Sequence, residues 1–327
     1  MLAGIGFAWV AGMLWGLVFV VPLMLPDYPA SLLAFGRYLA FGVIALPMAW
    51  IDRKALSKLT RSDWVHALKL AAIGNIVYYT FLASAIQLAG GPLPTMIIGT
   101  LPVTITLCAN LFGPQRDGQL PWKKLIPALL IILAGLACVN QTELERFNQH
   151  STGDHNDYLL GTLMAIGALI CWTWYPIKNS QWLRTHTQHP PRAWATAQGL
   201  TTLPLAIMGY AVLGAWFSIT GSPFDMPLGP DPYAFVGLMI AAGLFASWVG
   251  TLCWNEASRR VSAAIVGQLI IFETLAALLY AFILRGEGPN ALSTLGIGLL
   301  IGGVTLAVRI RPVQRTPAHK KLATHHS

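Results

Sequence analysis

The sequence predicts an all-α membrane protein of ten transmembrane helices arranged as two inverted five-helix repeats. Three observations carry that expectation. Ten separate apolar runs have spanning length, positive charge is confined almost wholly to alternate connections between them, and a weak internal repeat relates the second five runs to the first. A helix needs about 20 mostly apolar residues to cross the hydrocarbon core. Of the 327 residues, 55% are apolar and only 10% charged, with mean hydropathy +0.59, whereas a soluble domain carries about 25% charged residues.

The first run, roughly 3–24, begins almost at Met1. It lacks a basic n-region and a clear small-residue cleavage site, so it reads as a retained anchor rather than a signal peptide. The second, roughly 30–50, carries Arg37, and the third, roughly 64–86, carries Asn75, Tyr78 and Tyr79. The fourth, roughly 92–112, is punctuated by Pro92, Pro94 and Pro102, which free backbone carbonyls and permit kinks. The fifth, roughly 123–140, completes the first half. The sixth, roughly 158–178, holds Trp172 with Pro176 near its end, and the seventh covers roughly 193–217. The eighth, roughly 233–254, holds Trp248 and Trp254, and the ninth, roughly 262–283, holds Gln268 and Glu273. The tenth, roughly 291–308, is rich in small residues (Gly296, Gly298, Gly302, Gly303), expected to pack closely against the fifth or to form a dimer face. The domain reading is a first repeat over 1–140, a polar periplasmic linker over 141–157 expected to be a mobile loop, a second repeat over 158–310 and a basic cytoplasmic tail over 311–327.

Charge placement sets the expected orientation. With the N-terminus in the cytoplasm, all but Arg37, Lys69, Arg146 and Arg285 of the 21 Lys and Arg fall on cytoplasmic connections or the tail. The opposite loops carry Glu143, Glu145, Asp154, Asp157, Asp225 and Asp231. The positive-inside rule then places both termini in the cytoplasm. This distribution also accounts for the net charge of +8 without a nucleic-acid partner. Trp50, Trp64, Trp122, Trp182, Trp194 and Trp216 fall where a headgroup belt is expected. Cys108, Cys138, Cys171 and Cys253 lie inside the runs without CxxC spacing and read as small apolar fillers.

The repeat is visible as an offset. Ala85-Ile86-Gln87-Leu88 with Thr95, Gly99 and Pro102 maps onto Ala257-Ser258-Arg259-Arg260 with Gly267, Ile271 and Thr274 at a constant shift of 172. Gly12-Met13-Leu14-Trp15 maps onto Leu169-Ile170-Cys171-Trp172 at a shift of 157, and Gly135 corresponds to Gly303. Five helices per unit force the second unit to enter the membrane from the other side. Inverted repeats around a midplane site are a transporter signature.

Leu14-Trp15-Gly16, Arg37, Tyr79 through Ala85, Gly99-Thr100-Leu101-Pro102-Val103 and the matching stretch from Trp254 to Glu287, in this order and spacing, resemble the EamA-type exporters of the drug/metabolite transporter superfamily. The resemblance covers the chain to about residue 310. It implies a bacterial inner-membrane carrier that moves small metabolites outward, amino acids or their relatives among them, through a central cavity. The chain departs from the family pattern at Thr274, where a proline is frequent, and around Gln115, where an acidic residue is frequent.

An ionisable side chain in hydrocarbon costs at least a few kcal/mol and normally faces a polar cavity or a partner. Glu273 is the clearest instance and the candidate for proton coupling, because desolvation disfavours the ionised form of a carboxylate. Arg37 is expected either to pair with Glu273, to attract a substrate carboxylate through its fork of donors, or to serve structurally by snorkelling or capping helix ends. Trp15, Asn75, Tyr78, Tyr79, Trp172, Trp248, Trp254 and Gln268 stand at mid-depth as candidate cavity-lining residues for an amphipathic solute. Pro102 and Pro176 are hinge candidates. His66 and Lys69 sit near the cytoplasmic face, where snorkelling is easy.

No GxxxxGK[ST], HExxH or GxSxG motif is present, so no ATPase, metalloprotease or serine-hydrolase chemistry is expected, and neither a cofactor nor a metal. The expectation is a non-enzymatic secondary transporter exporting small metabolites such as amino acids, aromatic or apolar ones in particular, by alternating access. Its partners would be a small-molecule solute, the bilayer and protons, with a monomer or weak homodimer as the assembly. The rivals are an uncoupled facilitator or exchanger, a multidrug exporter, a membrane enzyme on lipid-linked substrates, and a scaffold.

Overall fold

Apolar residues without an internal breaker propagate as helix, because in lipid every backbone polar group must be satisfied within its own segment. The computed structural model describes residues 2–19, 21–89, 92–112, 120–148, 155–286, 288–310 and 313. The α-helices of seven or more residues are α1 (Leu2–Gly16), α2 (Ala30–Leu56), α3 (Arg61–Leu70), α4 (Tyr78–Ala89), α5 (Pro92–Gly99), α6 (Leu101–Phe112), α7 (Trp122–Asn148), α8 (His155–Thr185), α9 (Pro191–Thr220), α10 (Pro232–Ala241), α11 (Gly250–Arg260), α12 (Ala263–Leu269), α13 (Ile271–Arg285) and α14 (Ala291–Val308), and a single turn of helix, Val21–Met24, follows α1. A π-helical turn, Ala71–Val77, joins α3 to α4, and another, Ala242–Val249, joins α10 to α11. Eight helical stretches are long and apolar enough to cross a membrane, and two shorter apolar helices, Leu2–Gly16 and Leu101–Phe112, accompany them among the described residues.

Local chemistry sets the helix starts. Thr60 caps α3 in a capping box, its hydroxyl oxygen accepting from Asp63 N–H while the Asp63 carboxylate accepts from Thr60 N–H. Asp231 and Asn290 cap α10 and α14, and Pro191 and Pro232 occupy first-turn positions where a missing N–H costs nothing. α9 and α13 each stop at a glycine with positive φ, Gly221 and Gly286. Two boundaries differ from the sequence expectation. α7 runs on to Asn148 and α8 begins at His155, so much of the stretch read as a loop is helix. The reason is composition: Gln141-Thr-Glu-Leu-Glu-Arg-Phe contains good helix formers and no Gly or Pro. Residues 149–154, Gln115 and the tail apart from Val313 lie outside the described residues.

The major pairings join helices of one half to helices of the other. α2 packs on α9, α7 on α14, α1 on α11 and α13, α4 on α8, and α6 on α12. Glycines fix the closest approaches. A Cβ added to Gly42 would stand 2.5 Å from Leu203 Cβ, and one on Gly199 2.7 Å from Ala45 Cβ, so α2 and α9 run antiparallel. A Cβ on Gly135 would stand 2.9 Å from Gly296 O, and one on Gly303 2.7 Å from Ile132 Cγ1, so α7 and α14 do likewise. The small residues of α14 divide accordingly: Gly296 and Gly303 meet α7, whereas Gly298 and Gly302 have nothing within 4 Å of an added Cβ.

The internal repeat reappears in the backbone irregularities. The π-turn 71–77 shifted by 172 falls on 243–249, inside the second π-turn. The fourth apolar run breaks at Thr100, between α5 and α6, and the ninth breaks at Ile270, between α12 and α13. The first break lies two residues before Pro102, with Pro94 inside α5, while Pro176 sits within the unbroken helix α8.

The basic connections gather at one end. There Asp52, buried at the end of α2, accepts from Arg192 Nε at 2.9 Å and Nη2 at 2.6 Å and from Thr196 Oγ1 at 3.1 Å. At the other end Tyr28 ties the connection before the second run to the one before the eighth, donating to Leu228 O at 2.9 Å and accepting from Asp231 N–H at 2.8 Å. The tryptophan belt is partly corrected. Trp50 and Trp216 are exposed as a belt requires, but Trp182 and Trp194 are buried and stacked on each other with centroids 3.5 Å apart. Trp194 reaches inward because its indole N–H donates to Asn179 Oδ1 at 2.9 Å, a partner the sequence does not reveal.

Candidate functional site

The repeat places Trp15 on α1 and Trp172 on α8 at corresponding depths, and the two rings meet edge to face with centroids 5.2 Å apart. Trp254 packs against Trp15 at 5.0 Å, Tyr78 against Trp172 at 5.4 Å and Tyr79 against Tyr78 at 6.4 Å, so five of the expected residues form one chain of ring contacts. Offset and edge-to-face pairs of this kind are each worth about 0.5–1.5 kcal/mol beyond area burial. Trp248 joins through a neighbouring cluster with Tyr38, Phe41 and Tyr79, and its indole donates to Thr196 Oγ1 at 3.3 Å.

Both charged residues border this aromatic wall. Glu273 opens α13 just past the break at Ile270, where a Cβ on Gly12 would stand 2.8 Å from its backbone N. Its side chain is half-buried and forms no hydrogen bond or ion pair among the described residues, yet it lies within Coulombic range of Arg37, Tyr38 and Tyr78. Arg37 is committed elsewhere: Nε–H donates to Ser247 Oγ at 2.9 Å and Nη2 to Ala246 O at 3.3 Å, while its guanidinium lies 5.1 Å from the Tyr38 ring centroid. The direct Arg37–Glu273 pair is therefore absent from this conformation, and Arg37 is tied instead to the π-turn in the middle of the eighth run.

The reason lies in the π-turns. Widening a helix by one residue displaces carbonyls from their usual partners. In the second π-turn Ala246 O finds Arg37; in the first, the equivalent carbonyl at Gly74 accepts from Trp172 Nε1 at 3.1 Å. The side-chain links correspond as well. Asn75 Nδ2 donates to Thr202 Oγ1 on α9 at 3.1 Å, and adding 172 to Asn75 gives Ser247, the partner of Arg37 on α2. Asn75 thus serves the helix seam, although it remains half-buried. Gln268 is fully buried, with both amide atoms unpaired among the described residues.

Sequence reasoning missed Tyr38, Ser247, Thr202 and the hydroxyl contact between Thr104 Oγ1 and Thr173 Oγ1, 3.2 Å apart, which joins α6 to α8. The offset from Asn75 could have found Ser247. Nothing in the sequence marks the others. His66, His186 and His189 border a cavity of about 420 Å³ at the basic end with Lys58, Asp63 and Trp182, remote from the central rings. Lys69 is exposed.

The arrangement offers an aromatic wall, a carboxylate without a bonded partner and a guanidinium within electrostatic range. Rings of this kind present apolar faces and a few polar tips.

Known proteins agree with the two-unit architecture. The EamA-like transporter family matches residues 2–141 and 159–309. Inner membrane protein YtfF of Escherichia coli (strain K12) is 49% identical over 314 residues, covering 95% of this chain and 97% of that protein. An uncharacterized transporter of Archaeoglobus fulgidus is 23% identical over 276 residues, 84% of this chain and 86% of its own. A solved crystal structure superposes with a TM-score of 0.69 at 18% identity over 93% of this chain and 96% of its own, a likeness of fold alone. The chain belongs to the EamA-like transporter family.

Proposed function

We propose that this chain is a secondary transporter of the bacterial inner membrane, with ten crossings in two inverted halves and both termini cytoplasmic. It exports small metabolites such as amino acids, apolar or aromatic ones in particular, by alternating access. The observation that carries this reading is Glu273: a half-buried carboxylate in a broken helix, with no bonded partner, within Coulombic range of Arg37 and beside a continuous aromatic wall. Discontinuous helices at corresponding places in two halves mark substrate sites in carriers. The antiparallel packing of α2 on α9 and of α7 on α14 supports inversion, because each pair consists of equivalent helices of the two halves. The relative from Escherichia coli supports the inner-membrane location.

On this reading the rings hold the apolar part of the solute, Glu273 holds a cationic group or a proton, and Arg37 biases the site toward an anionic group. The test has two arms. Untargeted metabolite analysis of medium from overexpressing and deletion cells identifies the exported class. Proteoliposome flux of that class with and without a pH gradient then measures coupling. The proposal expects export of amphipathic amino acids, flux driven by the gradient, and loss of that response in Glu273→Gln. Gradient-independent flux identical in wild type and variant would establish the uncoupled facilitator instead.

A further inference from the structure

α11, from the central ring of Trp254 toward its basic end, and α12 carry polar atoms with no partner among the described residues. Trp254 Nε1, Ser258 Oγ and both amide atoms of Gln268 make no hydrogen bond among the described residues. These side chains are 1%, 0% and 0% exposed. Buried polar groups in folded proteins are nearly always paired, because leaving one unpaired incurs its full desolvation cost. Trp254 and Ser258 stand four residues apart and so share a face of α11. Both α11 and α12 pack against α1 and α8.

Under the offset of 172, Trp254, Ser258 and Gln268 correspond to Leu82, Ile86 and Met96, so the first half carries apolar side chains at these positions, with Leu82 buried and Ile86 exposed. Next to the unpaired atoms lies a fully paired set. Asn179 Nδ2 donates to Asn255 Oδ1 at 2.8 Å, while Asn179 Oδ1 accepts from Trp194 Nε1 at 2.9 Å and Gln198 Nε2 at 3.2 Å. This lock ties α8, α9 and α11 together immediately beside Trp254.

We propose that Trp254, Ser258 and Gln268 line a second, uncharged polar stretch of the solute path, shut in this conformation by the Asn179–Asn255 lock and opened when α11 and α12 part from α1 and α8. The stretch takes the hydrogen-bonding groups of a neutral or zwitterionic small solute, since it carries no formal charge. Its unpaired atoms destabilise the closed state relative to the open one, so both states stay populated. This inference rests on the transport reading of the central rings.

The test uses the full-length chain in oriented proteoliposomes with Cys108, Cys138, Cys171 and Cys253 replaced. Single variants Ser258→Cys and Gln268→Cys, the central Thr104→Cys and the outward-facing control Ile301→Cys are exposed to a small impermeant methanethiosulfonate on the basic side. Ser258→Cys and Gln268→Cys are expected to label faster than the control, and adding Asn179→Ala is expected to speed them about tenfold or more. Gln268→Leu, which removes the unpaired amide at similar volume, is expected to raise the melting temperature by about 2–4 °C. Labelling at Thr104→Cys but at neither seam position, with or without Asn179→Ala, would overturn the inference and leave the central reading standing. That is the behaviour of a sealed seam satisfied by ordered water in every state. No labelling at Thr104→Cys either would remove the central reading and this inference together. A fall in melting temperature for Gln268→Leu would count against the seam independently.

Discussion

Gly12 is where the packing of the first run bears directly on the candidate site. A methyl group placed there would stand 2.5 Å from Phe272 Cβ, 2.7 Å from Phe272 C and 2.8 Å from Glu273 N. Carbon atoms pack at about 3.5–4.0 Å, so Gly12→Ala must push α1 and α13 apart by roughly 1 Å at this level. Two of the three contacts are backbone atoms, which no side-chain rotation can relieve. Overpacking of this kind costs about 1–3 kcal/mol, and at about 2–4 °C per kcal/mol for a large domain the melting temperature should fall by roughly 2–12 °C. Gly6, on the same helix, has nothing within 4 Å of an added Cβ. Gly6→Ala should therefore leave stability unchanged or raise it slightly, since Ala is the better helix former. The assay is fluorescence-monitored thermal unfolding of the two purified variants in one detergent. Equal stability of Gly12→Ala and Gly6→Ala would refute the close approach of α1 to α13 and the placement of Glu273 derived from it.

Other perturbations follow from the same geometry. Replacing Trp172 by Phe keeps the ring contacts but leaves Gly74 O unpaired, and thermal unfolding should register a loss of about 1–3 kcal/mol. Arg37→Lys cannot reproduce the paired bonds to Ser247 and Ala246, so it should lower both stability and flux, whereas Thr202→Val, which removes the neutral counterpart, should cost less, about 0.5–1.5 kcal/mol. Arg192→Ala strands the buried Asp52 carboxylate with only Thr196, and the half-exposed guanidinium scales the loss down to about 1–3 kcal/mol in urea or heat titrations. Gly303→Ala should destabilise the contact with α7, while Gly302→Ala should not.

How much of this was legible in the sequence depends on the range of the interaction. Helix positions follow local hydropathy, so eight of the expected runs reappear as helical stretches of spanning length, and shorter apolar helices, Leu2–Gly16 and Leu101–Phe112, lie in the first and fourth. The corresponding depths of Trp15 and Trp172 were legible through the repeat, because an internal duplication converts an offset into a structural correspondence, but their contact was not. The π-turns were not legible: Ala71–Val77 and Ala242–Val249 have no proline to announce them, and their displaced carbonyls are taken by Trp172 and Arg37 from distant helices. The break at Ile270 was likewise silent, since no proline stands there, whereas Pro102 flagged its partner near Thr100. Arg192 was counted only as a topology charge, and Asp52 drew no notice. Their pairing spans 140 positions and depends on how α2 meets α9. Trp182 and Trp194 show the opposite error: placed near predicted interfaces, they suggested a belt, yet polar partners in the interior draw them in.

The most direct measurement is the reactivity of one thiol at the centre, Tyr79→Cys in a cysteine-free chain, to impermeant reagents applied separately to each face of oriented vesicles. Two inverted halves that open by turns predict labelling from both faces, with conditions that favour one side suppressing the other. Reactivity from a single face under every condition, or none from either, would contradict the account.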